Sequence, residues 1–128
     1  KEEYERINTD GKITTFFAAE ILRNNAKWQK CLDALRAIEG PVHLTIDIDG
    51  LDGSIVPSTG TPVPGGLNFW QAVEIIEALF SAPNAKIISM DVNEIVPQKD
   101  TPLTQFTAAM LATKGIVNHI NQRKSNRW

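Results

Sequence analysis

The chain reads as an α/β domain built on a mostly parallel sheet. Segments rich in β-branched and aromatic residues alternate with amphipathic helical segments along its 128 residues, the order that lays parallel strands side by side with helices between them. The middle strand segment is apolar almost throughout, as expected of a strand covered on both faces. Acidic residues gather where strand segments end, and open parallel sheets carry their ligand crevices at that end.

Taken in order, "KEEYERINTDG" is the charged end of a helix that stops in a turn at Asp10-Gly11. It begins with Lys1 rather than methionine, so the chain is expected to be the later part of something longer. "KITTFF", residues 12–17, predicts a first strand. Residues 25–39 place Trp28, Leu32, Leu35 and Ile38 about one helical turn apart, and Gly40-Pro41 ends that helix. "VHLTIDI", residues 42–48, is the second strand, and the Gly/Pro-rich stretch from Asp49 to Leu67 is a long loop. Loops of that length in compact domains usually serve a function. A helix follows with Asn68 as N-cap and Phe69, Val73, Ile76, Leu79 and Phe80 on its apolar side. Residues 85–92 form the third strand, and the last helix spans about 103–120 with Phe106, Met110, Leu111, Ile116, Val117 and Ile120 as its apolar positions. Three strands make a small sheet, and the core they predict is short of complete.

Composition narrows the function classes. A formal net charge of −2 lacks the basic excess of a nucleic-acid or membrane-surface binder. The tail "NQRKSNRW" is read as a solvated terminus. No apolar run approaches the ~18 residues that span a bilayer. The single cysteine, Cys31, cannot form an internal disulfide and lies at helical spacing with Leu35 and Ile38, which predicts a buried structural thiol and a reducing, cytoplasmic setting. His43, opening a strand away from the acids, and His119, late in the last helix, are read as structural.

The chemistry concentrates in "LTIDIDGLDG", residues 44–53, where Asp47, Asp49 and Asp52 fall within six residues. Side chains at i and i+2 of a strand share a face, so Asp47 and Asp49 are expected to project together. Three explanations fit such a pair. It can hold a hard divalent cation such as Mg²⁺ or Mn²⁺, share a proton for acid/base work, or cap the following loop and pair with a base. "STGTPVPGG" combines glycines that permit close approach with prolines that stiffen the chain, a wall suited to a small-molecule pocket in which Thr59 and Thr61 offer hydroxyls. A second acidic pair, Asp91 and Glu94, ends the third strand and would face the first across an anionic crevice that favours a cationic substrate; Glu94, in the loop, is read as functional, and Asp91 as a buried, hydrogen-bonded aspartate.

The segment "LTIDIDGLDGSIVPSTGTPVPGGL", followed by "ISMDVNEIVP" and "TQFTAAMLA", resembles the carboxyl-terminal third of the ureohydrolases, the family of arginase, agmatinase, guanidinobutyrase and formimidoylglutamase. The resemblance implies a three-layer α/β/α fold, the arginase-like fold, present here as an incomplete carboxyl-terminal portion, with residues 1–128 belonging to a single domain. It implies a pair of Mn²⁺ ions in the complete site, with Asp47 bridging both and Asp49 bound to one. Glu94 matches the glutamate that holds the substrate guanidinium, and Thr61 matches the pocket threonine. A metal-bridging hydroxide would attack the guanidinium carbon and release urea and an amine. Asp52 is expected to organise the loop.

Two departures stand in the sequence. Gly53 occupies the place where the family usually has proline, and the upstream motifs GGDH and DAHxD, which carry the remaining metal ligands and the catalytic histidine, do not occur. No residue of the chain is therefore assigned as catalytic, and the chain alone is expected to be inactive. "TGTPVPGGL" resembles the agmatinase form most, which puts agmatine ahead of arginine as substrate. Formamide release from formiminoglutamate and an inactive truncated domain with weak metal binding are the alternatives. The complete protein is expected to be a homo-oligomer, trimeric or hexameric.

Overall fold

The computed structural model describes residues 2–99 and 101–125. Its elements are helices α1 (Glu2–Thr9), α2 (Ala18–Ile21) and α3 (Asn25–Arg36), strand β1 (Glu39–Asp47), a 3₁₀ turn (Ile48–Gly50), helix α4 (Phe69–Ser81), strand β2 (Asn84–Asn93) and helix α5 (Leu103–Lys124). β1 and β2 pair in parallel, from Glu39 opposite Asn84 to Asp47 opposite Asn93, with a bulge that inserts Ile88 between the partners of Val42 and His43. These elements supply the sheet and one helix layer of the expected three-layer architecture. Among the described residues no helix is long and apolar enough to cross a membrane.

Local chemistry accounts for the helix starts. The Asn24 side chain accepts the Lys27 N–H and opens α3. Asn68, the expected N-cap, does so in a full capping box with Gln71. Trp28, Cys31 and Leu32 of α3 bury against Ala78 of α4, and the Trp28 indole N–H donates to Glu74 at 2.9 Å. Cys31 is a buried structural thiol as expected, and desolvation raises its pKa.

Four expectations change. Residues 13–17 form no strand: the sheet has two strands, and "KITTFF" finds no ladder partner among the described residues. β1 is not covered on both faces, because His43, Thr45 and Asp47 are exposed while Val42, Leu44 and Ile46 turn half-buried toward α4 and α5. The apolar face expected for α5 is also turned around. Of its six residues only Leu111 is buried, and Phe106, Met110, Ile116, Val117 and Ile120 are exposed. The buried stripe is instead Thr104, Thr107, Ala108, Leu111 and Gly115, small side chains that let the helix lie close to the sheet. At Gly115 a Cβ would collide with the Met90 thioether. α5 also runs into the expected solvated tail, where the Gln122 amide is buried and donates to the Phe80 and Ala85 carbonyls. Lys1, Asp100 and residues 126–128 lie outside the described residues.

The long loop is held from inside. Ile48, Leu51 and Val56 are buried in the main core. Asp52 joins the loop's two arms: its backbone N–H donates to Leu67 O at 2.9 Å, Oδ2 accepts the Gly65 N–H at 2.7 Å, and Oδ1 accepts from Ser54 N–H and Oγ. Asp52 thus organises the loop as expected. The arms cross so closely that a Cβ at Gly66 would lie 2.6 Å from Leu51 O, an overlap with backbone that admits only glycine. Hydrogen bonds fasten the far side: Ser58 N–H donates to Thr104 Oγ1 at 2.9 Å, Val96 N–H to Ser58 O at 3.0 Å, and Thr107 Oγ1 to Ile55 O at 3.3 Å.

Two predictions follow from this packing. Leu111→Ala removes a fully buried side chain from the core and is expected to lower the unfolding free energy by about 2–5 kcal/mol in denaturant titration. The Asp52 carboxyl is held below its ordinary pKa by the Ser54 hydroxyl first, then by the Ser54 and Gly65 N–H groups. Its stabilisation is therefore present above the ordinary aspartate value of about 3.9 and is lost as pH falls through the lowered value. Asp52→Asn should be less stable than the parent at pH 7, and the gap should close on acidification below about pH 4.

Candidate active site

The site forms where both strands run out. Asp47 is the last residue of β1, and the chain turns at once into the 3₁₀ segment because Ile48 is drawn fully into the core. Asp49 therefore sits on that turn and not on the strand, so strand alternation does not set its direction relative to Asp47. Thr61 fixes it: the Thr61 hydroxyl donates to Asp49 Oδ2 at 2.7 Å across the loop. The Thr59 hydroxyl accepts the Thr61 N–H at 3.2 Å and shapes the turn that presents Thr61. Both threonines are thus engaged within the site's own scaffold.

Glu94 directly follows β2 and has φ 62°, the left-handed region that a residue with a Cβ enters at some conformational expense. The turn carries its carboxylate toward the loop, where Oε2 would lie 3.8 Å from a Cβ built at Gly60. Glu94 and Asp49 therefore meet the same short segment, one at Gly60 and the other through Thr61. Glu94 is exposed there, beside the wall.

Asp91 does not form a second acidic cluster with Glu94. It lies on the open face of the ladder, where Oδ1 accepts from Thr45 Oγ1 at 2.7 Å and from Asn93 Nδ2 at 2.6 Å, and Oδ2 lies 3.0 Å from His43 Nε2. The Thr45 hydroxyl contributes most to holding its carboxyl below the usual range, opposed by partial desolvation and aided by His43 and Asn93. His43 is consequently not remote from the acids: its Nδ1 also hydrogen-bonds Ser89 Oγ at 2.7 Å. Sequence reasoning missed this network. Its signal was present in the alternating polar residues His43-Thr45-Asp47 and Ser89-Asp91-Asn93, which the apolar residues between them obscured.

Asp47 and Asp49 offer hard carboxylate oxygens suited to Mn²⁺. Among the described residues, however, no three His, Cys, Asp or Glu side chains converge to hold a metal ion. The donors present do not make a complete centre. An apolar cavity of about 330 Å³ lined by Phe80, Ile87, Met90, Ile116 and His119 takes in neither Asp49 nor Glu94.

Comparison with known proteins matches this arrangement to one family. The family described as the arginase family matches residues 1–117. An N(1)-aminopropylagmatine ureohydrolase of Thermococcus kodakarensis is 46% identical over 80 residues, 62% of this chain and 27% of that protein. An agmatinase of Chromobacterium violaceum is 47% identical over 75 residues, 58% of this chain and 22% of its own length. The crystal structure of arginase from Bacillus subtilis superposes with a TM-score of 0.73 at 33% identity, over 91% of this chain and 41% of that one. The chain thus spans well under half the length of the proteins it matches, and carries a corresponding part of the arginase fold. On the match over residues 1–117, with two parallel strands ending in the acids and the threonine-glycine wall between them, the chain belongs to the arginase family.

Proposed function

We propose that residues 1–128 are the carboxyl-terminal part of a single ureohydrolase domain, and that the complete protein hydrolyses a guanidino compound to urea and an amine, with agmatine preferred over arginine. The observation that supports this is the shared wall: Thr61 holds the Asp49 carboxylate while Glu94 lies beside Gly60, so both carboxylates border one short segment. Relatives named for agmatine and N(1)-aminopropylagmatine support a cationic guanidino substrate.

Each residue has a role that its surroundings allow. Asp47 and Asp49 contribute oxygen ligands to a manganese centre whose other ligands come from outside this chain. Thr61 keeps Asp49 in one orientation, as groups behind a ligand commonly do, and forms part of the pocket wall. Glu94 pairs with the substrate guanidinium through charge-assisted hydrogen bonds and orients its carbon. The complete protein is read as a cytoplasmic homo-oligomer, trimeric or hexameric.

The first test is urea release by the Mn²⁺-loaded product of the whole gene, with agmatine and arginine compared. Agmatine should be the better substrate, and the 128-residue chain alone should release no urea. Absence of urea from both substrates despite bound manganese would sink the proposal and direct the search to formamide release from formiminoglutamate. Within the active protein, Glu94→Gln is expected to reduce kcat/KM for agmatine by about 30- to 1,000-fold, the loss of roughly 2–4 kcal/mol of charged hydrogen bonding. Thr61→Val should weaken manganese retention by about 10- to 100-fold in a chelator competition, since it leaves Asp49 unheld.

A further inference from the structure

The polar network on the open face of the ladder lies directly behind both functional strand ends. Thr45 stands two residues before Asp47, and Asn93 is the register partner of Asp47 and the neighbour of Glu94. Backbone pairing stops at that rung. Beyond it one chain enters the 3₁₀ turn and the other enters the left-handed conformation at Glu94. The ladder carries a bulge at Ile88, so the rungs from His43 to Asp47 lie beyond the break in the regular pairing. Side-chain bonds across those rungs add to what the backbone holds.

We propose that Asp91 is a positioning residue that fixes Glu94 relative to Asp47 by clamping the carboxyl ends of β1 and β2. The clamp has two jaws. Asp91 Oδ1 receives the Thr45 hydroxyl across the ladder at 2.7 Å, and Oδ2 meets His43 of the same strand at 3.0 Å. Asn93 Nδ2 closes the triangle, donating to Asp91 Oδ1 at 2.6 Å and to Thr45 Oγ1 at 3.2 Å. Ser89, bonded to the other nitrogen of His43, extends the bracing one rung back. His43, Thr45, Ser89 and Asn93 are exposed and Asp91 is half-buried, so no apolar packing within this chain replaces them when one is lost. A shift of the β2 end carries Glu94 with it, and small misplacements of an orienting group are expensive in catalysis.

The inference rests on the role proposed for Glu94, and the test separates the two. In the Mn²⁺-loaded complete protein, Asp91→Asn and Thr45→Val should each lower kcat/KM for agmatine about tenfold or more, with manganese content retained. Thr45→Ser, which keeps the hydroxyl, should restore the parent kcat/KM. Backbone amide exchange at Asp47, Asn93 and Val96 should quicken about tenfold in the first two variants, while exchange in α3 stays unchanged. Variants that lose only thermal stability, with kcat/KM and exchange unchanged, would overturn the clamp, as would a Thr45→Ser variant no better than Thr45→Val. If the unmodified protein releases no urea, the proposed function fails. Exchange at the strand ends then decides the clamp by itself, with quickening supporting it and parental rates overturning it.

Discussion

Parallel pairing of β1 with β2 is the constraint on which the rest of the structure depends. It brings Asp47 opposite Asn93, residues far apart in the chain, and so sets the acids that follow each strand at one edge of the fold. A parallel pair cannot be closed by a tight turn. The crossover runs through the long loop and α4, and its order comes from burial. Ile48, Leu51 and Val56 lock the start of the loop into the core, and Val73, Ile76 and Leu79 of α4 seat the crossover on the same cluster.

The loop shows how a stretch without regular structure becomes rigid. Its backbone groups are taken up by the opposite arm, by the Asp52 carboxylate and by side chains of α5. Asp52 acts here through three N–H or O–H donors. Asp49, by contrast, accepts the Thr61 hydroxyl on Oδ2. Two aspartates three residues apart therefore differ in surroundings, because one meets the donors that close the loop and the other a hydroxyl across it.

α5 illustrates why amphipathic patterns can mislead. Its large apolar residues occupy a stripe wide enough to be taken for the core face, yet apart from Leu111 and Gln122 the buried positions are threonine, alanine and glycine, with Thr104 and Thr107 bonded to the long loop. Close helix–sheet approach favours small side chains, and Gly115 beside Met90 shows how little room is left. The exposed stripe of Phe106, Met110, Ile116, Val117 and Ile120 is apolar surface that this chain by itself does not cover.

The sequence by itself determined the class of fold, the helix carrying Cys31, the Asn68 cap, the long loop and the acids that cluster after the strands. Those features depend on local periodicity, capping and turn chemistry, which neighbouring residues express without help. Only the tertiary structure decided the rest. "KITTFF" has the composition of a strand but no partner, and strand formation requires one. Asp49 left the strand because Ile48 found the core, and the half-buried face of β1 was chosen by α4 and α5. The links from Thr61 to Asp49, from Glu94 to Gly60, and from Asp91 to Thr45 and His43 join residues 12 to 48 positions apart, distances over which no pattern along the chain specifies contact and only the packed fold can bring side chains together.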